Sequence, residues 1–163
     1  MSKMAKEIYH VLIADDSESD RALLKAALRL TPRLQAIAEV SDGTEVIAYL
    51  RGHAGFADRQ KFPLPDLLLL DLKMPLKDGF EVLEWLDSQP FKSSITVVVL
   101  TDSMQPEHIK RALDLGADLF QVKPHASHER NAMIFALEEY LLRSAFQPRS
   151  RPASRFQAAQ VQI

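Results

Sequence analysis

Five short apolar runs punctuate the chain: Ile8–Ala14, Ala36–Val40, Leu67–Leu70, Ile95–Leu100 and Leu119–Val122. Most are almost continuously apolar and not alternating, the pattern of strands buried on both faces of a parallel sheet. Between them the period becomes helical. Ser17–Leu30 carries Leu23, Leu24, Ala27 and Leu28 at helical spacing and stops at Thr31-Pro32. Thr44–Arg51 predicts a short second helix, and Gly79–Asp87 a third with Phe80, Val82, Leu83 and Leu86 as its apolar set. Pro106–Leu115 predicts a fourth, closed by Gly116 at the C-cap position. Ser127–Leu142 predicts a fifth, with Met133, Leu137, Tyr140 and Leu141 on one stripe. Strict alternation of strand and helix predicts an α/β fold: an open five-stranded parallel sheet with five helices on both faces.

Two segments stand outside this alternation. Gly52–Pro65 is longer than the usual connection of roughly 2–6 residues, and its Phe56, Phe62 and Leu64 predict that it packs back on the domain. The stretch Ser144–Ile163 contains Arg149, Arg151 and Arg155 and no acidic residue. The chain therefore divides into a domain over 1–143 and a C-terminal tail over 144–163, expected to be flexible. With −2 on the whole chain and three arginines in the tail, the remainder carries −5.

Composition narrows the possibilities. At roughly 100–200 residues per domain, 163 residues make one domain, and 47% apolar residues exclude wholesale disorder. The absence of cysteine excludes a disulfide framework, a thiol nucleophile and a thiolate metal site together. The near-neutral balance leaves no electrostatic footprint for nucleic acid. The longest apolar run, Ala132–Leu137, is far short of the ~20 residues that span a bilayer. The N-terminus lacks the apolar stretch of a signal peptide, so a cytoplasmic protein with no membrane partner is expected. His10, His53, His108, His125 and His128 show no metal-ligand spacing beyond the loose His125/His128 pair, and read as surface or structural residues.

The informative polar residues stand at strand ends. Asp15 and Asp16 follow the first strand, Asp71 the third, Thr101 the fourth and Lys123 the fifth. A parallel sheet brings all strand C-termini to one edge, where open α/β sheets bind ligands at the point of strand-order reversal. In the order 2-1-3-4-5 that reversal lies between strands 1 and 3, which supply the three acids. Two like charges ~4 Å apart cost on the order of 4 kcal/mol at an effective dielectric of about 20. A hard divalent cation relieves such crowding, and oxygen ligands with room for water suit Mg²⁺. Carboxylate, hydroxyl, lysine and metal are the parts required for phosphoryl transfer to an aspartate.

Asp15-Asp16, then Asp71-Leu-Lys-Met-Pro-Leu-Lys-Asp-Gly79, then Val-Leu-Thr101, then Lys123-Pro124, resemble the receiver domain of two-component response regulators. The likeness covers about Glu7 to Arg143, with four motifs in order. It implies a flavodoxin-like sheet and a phosphorylation-dependent switch, not an enzyme. Asp71 would accept the phosphoryl group from a histidine kinase or phosphotransfer protein. Asp16 would bind Mg²⁺ directly, Asp15 mainly through water, and Lys73 through its backbone carbonyl. Lys123 and Thr101 would contact the phosphoryl oxygens, and Phe120 would be the switch aromatic that turns inward behind Thr101. The Lys123–Pro124 bond would be cis. Asp102 stands where the family usually has a small residue, and is expected to point outward. A cation at Lys73 is expected to lengthen the life of the acyl phosphate. The extended Gly52–Pro65 connection is similar to that of standalone regulators associated with bacterial phytochrome kinases.

Only 20 residues follow Arg143, too few for a DNA-binding module, so output is expected through contact with an unknown downstream protein or by phosphate relay. Homodimerisation is implied by the family likeness alone. Three rivals fit less well. A pseudo-receiver would lack part of the acidic set. A flavin binder needs a phosphate-welcoming loop where this chain has Asp-Asp-Ser-Glu-Ser-Asp. An aspartate-nucleophile phosphatase places a second Asp two residues after the first, a spacing that neither Asp15/Ser17 nor Asp16/Glu18 meets.

Overall fold

Successive strand residues bury in opposite directions, and both directions are apolar. The computed structural model describes residues 5–146. In β1 (Tyr9–Ala14), Val11 and Ile13 join one core while Leu12 and Ala14 join the other. The same division splits β3 (Leu67–Asp71) and β4 (Thr96–Thr101). With β2 (Leu34–Val40) and β5 (Leu119–Val122) they form the parallel sheet that the pattern predicts, in the order β2-β1-β3-β4-β5 that the family resemblance implies. One face is covered by α1 (Glu18–Leu28) and α5 (Ser127–Phe146), through Leu24, Ala27, Leu28, Met133, Ile134, Leu137 and Leu141. The other is covered by α2 (Gly43–Arg51), α3 (Gly79–Asp87) and α4 (Pro106–Asp114). No helix among the described residues is long and apolar enough to cross a membrane.

Element ends follow local chemistry. Ser17, Asp42 and Asp78 are N-caps whose side chains accept backbone N–H groups of α1, α2 and α3, and Asp78 and Glu81 form a capping box. Ser17 therefore stands just before the first helix and not inside it. β2 starts two residues earlier than its apolar run, because Leu34 pairs with Tyr9 across exposed Gln35. α5 continues past Leu142 and Arg143 to Phe146, with the Ser144 hydroxyl donating to the Tyr140 carbonyl at 2.8 Å. The first residues of the expected tail are thus helical, and the remainder of it, 147–163, lies outside the described residues.

The long connection after α2 does fold back. Phe56 and Phe62 pack on Tyr49, with ring centroids 5.0 and 6.0 Å away, and the Tyr49 hydroxyl donates to the Pro63 carbonyl at 3.0 Å. Leu64, expected to join them, is exposed. The fastening comes from Arg59. Its guanidinium donates to the carbonyls of Tyr49 (2.8 Å), Phe62 (3.1 Å) and Leu50 (2.7 Å), satisfying the last carbonyls of α2 and favouring its negative end. Gly52 ends α2 at φ 68°, and a Cβ there would meet Arg59 Nε at 2.9 Å. Replacing Arg59 by Ala is expected to lower the urea-unfolding stability by about 2 kcal/mol, with Lys restoring little because its compact ammonium lacks the wide planar fork that spans these carbonyls.

Candidate functional site

Asp71 ends β3 at the sheet edge, flanked by β1 and β4. The loop beyond it is held closed. Leu72 and Met74 are buried, Gly79 N–H donates to the Leu72 carbonyl at 2.9 Å, and Gly43 N–H donates to the Lys77 carbonyl at 3.0 Å. A Cβ on Gly79 would lie 2.5 Å from the Asp71 carbonyl oxygen, so a side chain there would push Asp71 aside. Leu76, at the tip, has φ 65° and is 79% exposed.

Asp15 follows β1 and is buried. Its Oδ1 accepts from Ser17 N–H at 2.9 Å, and its main-chain carbonyl accepts from Arg21 at 2.7 Å. Asp16 is exposed. One carboxylate oxygen from each of Asp15, Asp16 and Asp71 lies within 4.8 Å of the others, a spacing that a single cation could bridge. Lys123, just past β5, reaches across to this cluster. Its Nζ lies 2.7 Å from Asp15 Oδ2, 2.9 Å from Asp20 Oδ2 and 3.3 Å from Asp71 Oδ2. Asp71 Oδ1 accepts from Lys73 N–H at 3.2 Å.

The electrostatics follow from this crowding. Burial lifts the Asp71 carboxyl from 3.8 to about 6; Lys123 and the Lys73 N–H oppose the shift, and Asp15 adds to it. Burial also disfavours the Lys123 ammonium, but hydrogen bonds to Asp15 and Asp20 outweigh it and hold its pKa above the ordinary lysine value.

Four predicted residues therefore meet: Asp15, Asp16, Asp71 and Lys123. Thr101 is fully buried at the end of β4, one residue beyond Leu100, the partner of Asp71 in register. Its hydroxyl accepts from Ser103 N–H at 3.2 Å, a contact within its own loop and not with Asp71. Phe120 is buried on β5 beside Val99, in the core under α2, α3 and α4. Lys73 brings its backbone N–H to Asp71 while its side chain stays exposed, and Asp102 is exposed. The Lys123–Pro124 bond is trans, contrary to the expectation of cis; the two isomers of an X–Pro bond differ by only about 0.5–1 kcal/mol, so the motif does not decide between them. The residue that sequence reasoning missed is Asp20. Its only signal is an acidic side chain in the first turn of α1, shortly after the Asp15-Asp16 pair.

Residues 11–135 match the family of the response regulator receiver domain. The chain is 28% identical over 138 residues to response regulator Rcp1 of Synechocystis sp., covering 85% of this chain and 92% of that protein. The phosphorylated cyanobacterial phytochrome response regulator RcpA superposes with a TM-score of 0.72 at 32% identity, over 83% of this chain and 94% of that one. The Mn²⁺-bound form of Rcp1 gives a TM-score of 0.70 at 27% identity, over 83% and 96%.

The raised Asp71 pKa has a consequence for stability. A carboxyl whose folded-state pKa exceeds its unfolded value contributes full stability below the unfolded pKa and loses it as pH rises through the folded one. In chelator, Asp71→Asn is therefore expected to be more stable than wild type near pH 8, by ~1–3 kcal/mol, and so to unfold at a higher temperature, with the gap closing below about pH 4. Added Mg²⁺ should narrow the gap at pH 8 by stabilising wild type alone; differential scanning calorimetry across pH reads both effects.

Proposed function

The chain belongs to the response regulator receiver domain family of two-component signalling, and from that premise we propose that Asp71 is its phosphoacceptor. A phosphohistidine of a histidine kinase or phosphotransfer protein would be the donor. The observation that carries the reading is the convergence of Asp15, Asp16 and Asp71 on one point, with the Lys123 ammonium bonded to two of them. Exposed acids alone are common on protein surfaces; two buried acids sharing a lysine at a strand edge are not.

The donor set fits a hard cation: three carboxylates at one point, with Asp71 destabilised as an anion by its burial. Asp15, Asp16, Asp71 and the Lys73 carbonyl would hold Mg²⁺. When bound, the ion offsets the acidic charge and neutralises negative charge on the phosphoryl oxygens.

This chain's own residues would do the rest. An Asp71 carboxylate oxygen forms the new bond to phosphorus as the donor's N–P bond breaks, and the donor imidazole leaves with that electron pair. The Lys123 ammonium, already 3.3 Å from Asp71, would also contact a phosphoryl oxygen attached there. The Thr101 hydroxyl would exchange its Ser103 partner for another phosphoryl oxygen, opening space into which Phe120 packs. Population then shifts toward the arrangement that a downstream protein binds. On this reading the chain is a switch and not an enzyme. It works in the cytoplasm by protein–protein contact, and homodimerisation is one form that contact takes.

Incubation with acetyl phosphate and Mg²⁺ is expected to add one phosphoryl mass to wild type and none to Asp71→Asn, by intact mass spectrometry. Omitting Mg²⁺ should lower the uptake at least ~10-fold, and equal labelling of the Asn variant would exclude Asp71 as the acceptor.

A further inference from the structure

A lysine ammonium has three N–H donors, and in this structure each of the three has a carboxylate within reach: Asp15 at 2.7 Å, Asp20 at 2.9 Å and Asp71 at 3.3 Å. Lys123 is therefore saturated. A phosphoryl oxygen can be taken up only if one of these partners is released. The three are not equally free to leave. Asp15 is 2% exposed in its side chain, and its other oxygen is tied to Ser17 N–H, so releasing it would strand a buried charge. Asp71 is the residue to be modified. Asp20 differs from both: its side chain is 37% exposed, it sits in the first turn of α1, and it returns to water at little cost.

We infer that Asp20 is a positioning residue that acts through Lys123, holding the ammonium over the acidic cluster until a phosphoryl group displaces it. This rests on the reading of Asp71 as phosphoacceptor and adds a regulator of the same site. Asp20 is a built-in competitor. It offers Lys123 a carboxylate where the phosphoryl group would later offer its own anionic oxygens, and so sets the threshold for occupying the site. It is not one of the three acids whose oxygens converge for a cation, so the inference concerns the anion and not the metal.

The test uses the full chain as wild type, Asp20→Asn, Asp20→Glu and Glu18→Gln. The last removes an exposed charge from the same helical turn without touching Lys123. Phosphoryl uptake from acetyl phosphate, beryllofluoride affinity by fluorine NMR, and Mg²⁺ affinity are measured for each. Asp20→Asn is expected to take up phosphoryl ~2- to 5-fold faster and to bind beryllofluoride tighter by a similar factor, the worth of one half-exposed ion pair. Its Mg²⁺ affinity should stay within about 2-fold of wild type, Asp20→Glu should restore slow uptake, and Glu18→Gln should match wild type. Unchanged or slower uptake in Asp20→Asn, or equal acceleration in Glu18→Gln, would overturn the assignment. If wild type takes up no phosphoryl group, the acceptor reading itself fails, a result separable from wild type labelling normally while Asp20→Asn matches it.

Discussion

The ammonium of Lys123 is what lets this sheet edge hold its acids. Asp15 and Asp71 are both buried, and without a cation between them their charges would repel across a poorly hydrated rim. Lys123 reaches both from the end of β5, two strands away from β3, so the last strand of the sheet is electrically tied to the first and third. The compensation is incomplete. Asp71 is still harder to ionise than an ordinary aspartate, because its burial outweighs the attraction of the lysine.

Backbone constraints keep that balance in place. Gly79 lets the main chain pass against the Asp71 carbonyl, and Gly43 lets the start of α2 touch the same loop through Lys77. The loop is thereby braced from two helices at once. The Thr101 hydroxyl, by contrast, is held only by a neighbouring N–H in its own loop, and Lys123 shares its donors with a half-exposed partner. The rigid parts are those that fix Asp71, and the exchangeable parts are those that would answer to its proposed modification.

Much of this was legible in the residues. Leu67–Leu70 and Ile95–Leu100 are apolar at every position or nearly so, and only a sheet covered on both sides buries such strands, so the layers followed from the residues and the strand order from the family resemblance. Asp15, Asp16, Asp71 and Lys123 were legible because each stands just past an apolar run, and parallel strands deliver such positions to one edge. Asp20 was not, since it belongs to a helix whose rotation relative to the sheet is set by packing. Leu64 failed for a related reason: an isolated apolar residue in a loop carries no period to say which way it faces. Arg59 is marked by no pattern at all, because its three carbonyl partners come together only after α2 and the following loop have formed.

That clamp changes what the long connection is. Residues 52–65 include one 3₁₀ turn and little other regular structure, yet the guanidinium of Arg59 and the rings packed at an angle against Tyr49 fasten them to α2 at several points. A protease needs a stretch of slack, extended backbone to fit its cleft, and a segment stitched to a helix end offers little of it. Length in this chain is therefore not looseness: the insertion is a buttress on the rim opposite the acids, where sequence can be added without disturbing the chemistry.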